Sequence, residues 1–182
     1  MGLQVVHVFT HDRIAVDEDG PTHQPVEQLA SLRAMPRLTL IRPADANEIA
    51  AAWKAAIETR DRPVLLVLTR QDLPTLDRRR HASAEGLRRG AFVVRDAPAV
   101  FAQRTRPDLV LLASGSELML ILAASERLEA PGVALRCVAM PSWDLFDAQP
   151  RSYRDEVLPP DVYARLAVEP GAPSARRTPC NA

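Results

Sequence analysis

Within THDRIAVDEDGPTHQP, residues 10–25, three side chains able to bind a polar ligand or move a proton, His11, Asp19 and His23, fall inside thirteen residues. They lie beside an Asp19-Gly20 turn pair and two prolines, and a fourth group, Arg70, ends the run VLLVLTR. An arginine fork binds phosphate through two parallel hydrogen bonds, a carboxylate accepts from hydroxyls, and imidazoles donate or relay protons. Together they suit a phosphorylated polyol. Two other readings remain open: a polar loop leading into a capped helix, and a metal site built from His7, His11, Asp19 and His23. Against the second, His7 lies in mid-strand on the face opposite Val6 and Val8, where packing is the expected role.

These groups need elements to position them. Short apolar runs alternate with helix-like stretches: VVHVFT (5–10), a helix over about 25–34, LTLI (38–41), a helix over about 46–59, then VLLVLT (64–69). That order predicts a parallel sheet with right-handed crossovers, in which ligands bind at the carboxyl ends of the strands. His11 follows the first strand, Arg70 follows the third, and His23 precedes the first helix, so the topology alone sends them to one edge. In that first helix Thr22 is the expected cap and Val26, Leu29 and Ala30 face inward. Asp45 with Glu48 reads as a capping box, after which Ile49, Trp53 and Ile57 form an apolar stripe at spacing four.

The stretch QDLPTLDRRRHASAEGLRRG (71–90) loses this periodicity and reads as a solvated linker, with no aromatic residues between its arginines to suggest nucleic acid. A second alternating block follows: GAFVV (90–94), LVLLAS (109–114), a helix over about 116–129, ALRCVAM (134–140), a turn at Pro141, and RLAVE (165–169). In ASGSE (113–117), Ser114 and Glu117 read as a second capping box, and Cys137 as a packed small side chain. The end, from about residue 170, lacks apolar periodicity and is expected to be disordered. The fold class is α/β, two small parallel or mostly parallel sheet units with flanking helices.

With 182 residues, 47% of them hydrophobic, the chain can bury a core. Basic and acidic residues balance at 23 each, so no net field draws nucleic acid or an anionic membrane. No apolar run is long enough to span a bilayer. Two cysteines make no disulfide framework, and the expected compartment is a reducing cytoplasm.

The segment from Thr10 to Trp53 closely resembles the transketolase pattern, through RPADANE (42–48) and with EDGPTHQP (18–25) its most specific part, and LTRQDLP, ASGSE and MPSWDLFDAQP (140–150) continue it in register to about Glu169. The resemblance implies the end of a pyrimidine-binding domain over residues 1–75, a linker over 76–90, a truncated C-terminal domain over 91–169 and a tail over 170–182, both units incomplete relative to the family. It implies His11 and Arg70 at a substrate phosphate, Asp19 at an acceptor hydroxyl and His23, the catalytic member, near the reacting carbons. Arg13, Ala15 and Asp17 stand where the family pattern has Ser, Gly and Gly; if either glycine needed positive φ, Ala15 strains the loop, whereas Asp17 is better tolerated.

The implied activity is reversible transfer of a two-carbon ketol unit between ketose and aldose phosphates in the pentose phosphate pathway, with thiamine diphosphate and magnesium. No GDG-type diphosphate motif or cofactor-activating glutamate is recognisable, so the expectation is no cofactor or metal ligands in this chain and no activity in isolation. The expected partners are sugar phosphates and a cofactor-binding chain or dimer partner. The competing expectations are a non-catalytic subunit of a split thiamine enzyme and a degenerate product of a truncated gene.

Overall fold

A computed structural model describes residues 3–12, 24, 26–96, 106–129 and 132–171. The apolar runs become strands because successive side chains alternate between the two faces of a sheet. In the first unit these are β1 (Val6–Phe9), β2 (Thr39–Ile41) and β3 (Val64–Val67), with α1 (Gln28–Arg33) and α2 (Ala46–Glu58) in the crossovers. They form an all-parallel sheet in the order β1-β3-β2. Val64 and Leu66 face α2, whereas Leu65 and Val67 pack with Leu29 of α1.

The second unit contains β4 (Phe92–Asp96), β5 (Leu109–Ala113), α3 (Glu117–Glu129), β6 (Leu135–Ala139), α4 (Trp143–Asp147), α5 (Arg151–Val157) and β7 (Arg165–Val168). Its sheet has the order β4-β6-β5-β7, parallel except for the β4 edge. On β5, Leu111 and Ala113 face one core cluster while Val110 and Leu112 face another, so both sides of this strand are covered. The short helices α4 and α5, absent from the sequence reading, supply Phe146, Tyr153 and Val157 to the second cluster. Among the described residues no helix is long and apolar enough to cross a membrane.

Two expectations change. The stripe Ile49-Trp53-Ile57 is not the inner face of α2: Trp53 is 41% and Ile57 54% exposed, while Ala51, Ala52, Ala55 and Ala56 are buried. Small side chains let the helix lie close to a sheet on one side and to its neighbour on the other, and that tight seat outweighs the larger apolar area of the stripe. The neighbour is the stretch expected to be a solvated linker. Residues Ala84–Arg89 form a 3-10 helix, capped by Ser83, that places Leu87 in the same core as the α2 alanines and Phe92, Leu111 and Leu118. One hydrophobic cluster therefore runs through both units. Thr22 lies outside the described residues; α1 starts after Glu27, which makes no capping hydrogen bond, and Leu29 is its buried residue.

Candidate functional site

Parallel pairing brings the ends of β1 and β3 side by side. Phe9 is in register with Val67, and the Leu68 N–H donates to the Phe9 carbonyl at 2.7 Å, so pairing continues just past both strands. His11 and Arg70 follow at once, both exposed, on the carboxyl edge where a ligand has access. The Thr10 hydroxyl sits 2.8 Å from His11 Nδ1. His11 has φ 66°, a left-handed conformation that costs a non-glycine residue about 1–2 kcal/mol and must be sustained by its neighbours. Asp19 and His23 lie outside the described residues. His7 is exposed on the edge strand rather than packed, and no group of three potential metal ligands occurs among the described residues.

Immediately behind His11 is a buried charge cluster that the sequence reading missed. Arg42, fully buried, donates from Nε to Asp12 Oδ2 at 2.5 Å and from Nη1 to the Ser114 carbonyl at 2.7 Å, and pairs with Glu117 at 2.6 Å. Its main chain bridges the same units, with its N–H on the Pro141 carbonyl (2.8 Å) and its carbonyl accepting from the Gly115 N–H (3.1 Å). Gly115, at φ 55°, is required here, because a Cβ would come within 2.6 Å of the Arg42 guanidinium carbon. Ser114 Oγ donates to Glu169 at 2.7 Å, and Glu169 in turn pairs with Arg33, whose guanidinium lies 4.4 Å from the Trp143 ring centroid. Ser114 thus serves this network. Burial pulls the Arg42 pKa down, but Asp12, Glu117 and Glu169 push it up and prevail, so it stays charged.

A second cluster sits at the start of α2. Asp45 caps the helix by accepting from the Glu48 N–H at 2.8 Å, as its spacing predicted, and Glu48 accepts from the Ala44 N–H at 2.9 Å. Asp45 also holds the Leu76 N–H (2.9 Å) and Arg78 (2.8 Å), pinning the connection between the units to the helix. Burial, opposed by the Ala44 hydrogen bond, reinforced by Asp45 and opposed by Arg78, pushes the Glu48 carboxyl up to about 7. Cys137 is buried, and desolvation raises its thiol pKa, consistent with a packing role.

The rule that identified His11 and Arg70, a polar side chain placed just after a parallel strand, also applies to Arg42 after β2 and Ser114 after β5. Arg42 stood in IRPAD between an apolar strand and a capping box, so a signal existed. What the sequence lacked was any sign that Glu117 and Ser114, more than seventy residues away, would complete its shell.

Residues 1–75 match the transketolase pyrimidine-binding domain, and residues 90–178 match the transketolase-like C-terminal domain. A transketolase of Geobacillus stearothermophilus is 58% identical over 172 residues, covering 94% of this chain and 25% of the relative. A transketolase of Pichia stipitis crystallised with sedoheptulose-7-phosphate has a TM-score of 0.83 and 39% identity, over 94% of this chain and 24% of the other. An inactive β4 tetramer of a split-gene transketolase has a TM-score of 0.65 and 25% identity, over 90% of this chain and 47% of its own. Both matched domains, the α/β architecture and these relatives agree: the chain belongs to the transketolase family and spans about a quarter of the length of the curated relatives it matches.

Proposed function

We propose that this chain is the sugar-phosphate-binding part of a cytoplasmic, thiamine diphosphate-dependent transketolase, contributing to two-carbon ketol transfer between ketose and aldose phosphates once a partner supplies the cofactor site. In this reading residues 1–75 belong to the pyrimidine-binding domain, 76–90 connect, 91–169 form the C-terminal domain and 170–182 are a tail. The observation that carries it is the juxtaposition of His11 and Arg70 on one open strand edge. Arg70 holds the substrate phosphate, His11 donates to it or to a neighbouring hydroxyl, Asp19 accepts from an acceptor hydroxyl, and His23 works near the reacting carbons.

Thiamine diphosphate and a divalent metal come with membership of the family. Among the described residues no group of three potential metal ligands occurs. A two-chain arrangement is supported by the split-gene transketolase among the structural neighbours.

The test is complementation. The chain is co-expressed with the part of the Geobacillus stearothermophilus relative that it does not match, and ketol transfer is assayed with ribose 5-phosphate and with glycolaldehyde as acceptors. Arg70→Ala is expected to lower kcat/KM for ribose 5-phosphate roughly ten- to a hundred-fold, as loss of a charge-assisted fork to phosphate requires, with little change for glycolaldehyde. Equal losses on both acceptors remove Arg70 from the phosphate. Absence of transfer with every complement, together with no binding of ribose 5-phosphate, overturns the reading.

A further inference from the structure

We propose that Arg42 is a positioning residue for His11: through Asp12 it ties the left-handed turn carrying the imidazole to the first turn of α3, so the second unit sets the geometry of the sugar-phosphate edge. The inference rests on the reading of His11 as a substrate ligand.

Three strand ends from two sheets meet at one guanidinium. Asp12 comes just after β1, Arg42 directly after β2, and Ser114 directly after β5. Arg42 divides its nitrogens between the units, Nε going to Asp12 in the first and Nη1 to the Ser114 carbonyl and Glu117 in the second. The link to Asp12 runs through a single oxygen, because Asp12 Oδ1 and Arg42 Nη2 are buried with no hydrogen-bond partner. Among the described residues, Arg42 Nε is thus the partner that holds the Asp12 carboxylate.

His11 is the next residue along, and its positive φ has to be maintained from both sides. Thr10 engages the ring from one side, and buried Asp12 anchors the main chain on the other. Because Glu117 belongs to α3, a change of charge in the second unit reaches His11 through two buried ion pairs, a contiguous physical route. Glu169 and Arg33 extend the same chain of contacts toward Trp143.

Arg42→Met leaves Asp12 and Glu117 buried without a counter-charge and endangers folding, so milder variants decide. The full chain is labelled with nitrogen-15 in its imidazoles, His11 is assigned by its loss in His11→Gln, and its resonances are followed at fixed pH. Glu117→Gln is expected to move the His11 signal. Arg136→Gln, which breaks the Arg136–Asp96 pair within the second unit, is expected to leave it at its wild-type position. An unmoved signal in Glu117→Gln, or equal shifts in both variants, overturns the proposal.

Titration with ribose 5-phosphate is the second arm. Asp12→Asn is expected to raise its Kd about fivefold or more. Arg42→Lys, which keeps the charge, is expected to fall between wild type and Asp12→Asn, and a Kd unchanged in Asp12→Asn counts against the positioning role. If wild type does not bind the sugar phosphate at all, the substrate reading fails, while the imidazole shifts still decide whether the second unit positions His11.

Discussion

β1 and β5 have the same kind of sequence, a short, nearly continuous apolar run, yet opposite surroundings. β5 lies between β6 and β7 with both faces inside hydrophobic clusters. Among the described residues β1 pairs only with β3, and Val8 on the α2 side and Phe9 on the other remain 42% and 50% exposed. Parallel strands with apolar residues on both faces belong in covered positions, so an apolar edge of this kind is an unsatisfied surface. The second unit covers its central strand β5 on both faces and can serve as an anchor. The first carries the candidate ligand edge and leans on that anchor through Arg42.

The contrast is broken most directly by matched truncations. Leu112→Ala, in the covered strand, is expected to cost about 2–5 kcal/mol of unfolding free energy by leaving a cavity. Val8→Ala, in the open strand, should stay within about 1 kcal/mol because half of its side chain already faces solvent. Urea denaturation of both proteins gives the comparison. Similar losses would mean that β1 is as well covered as β5.

A smaller effect tests the joint between the units. Glu48 has a folded pKa of about 7 against an ordinary 4.5, so the folded state holds its proton longer than the unfolded chain does. Its contribution to stability is consequently complete below about pH 4.5 and is lost as pH rises toward about 7. Relative to Glu48→Gln, which cannot titrate, wild type should lose on the order of 3 kcal/mol across that interval. Paired melts from pH 4 to 8 measure it, and a constant difference between the two proteins would refute the shift.

The smallest expected change in stability sharpens the reading of β1. Phe9→Lys places a charge on the open edge, a substitution that blocks strand addition. Stability should move by no more than about 0.5 kcal/mol, as for other surface changes. Light scattering, in contrast, should show clear self-association of the wild type and much less of the variant. A monodisperse wild type at high concentration would show that the exposed β1 surface does not drive association.

Much of the fold was legible because its signals are local. The run VLLVLT could only be a short covered strand, and the Asp45-Glu48 spacing closed into a cap between side chain and backbone three residues apart. The positions of His11 and Arg70 followed from strand order alone. The outward turn of Trp53 and Ile57 was not legible, since the apolar stripe and the alanine face were both plausible inner sides. The packed 3-10 helix at Ala84–Arg89 was missed because its arginines obscure one deeply buried residue, Leu87.

By itself the sequence determined the α/β alternation, the strand edge that gathers polar side chains, and the family through EDGPTHQP and RPADANE. These depend on neighbours within a few residues or on the connection rule of a parallel sheet. Only the tertiary structure decided which face of α2 is buried, that one core joins the two units, and that Arg42 links Asp12 to Ser114 and Glu117. The physical reason is range: a guanidinium becomes tolerable in a dry interior only when its counter-charges arrive from strands and helices distant in the chain, and no local pattern records that meeting.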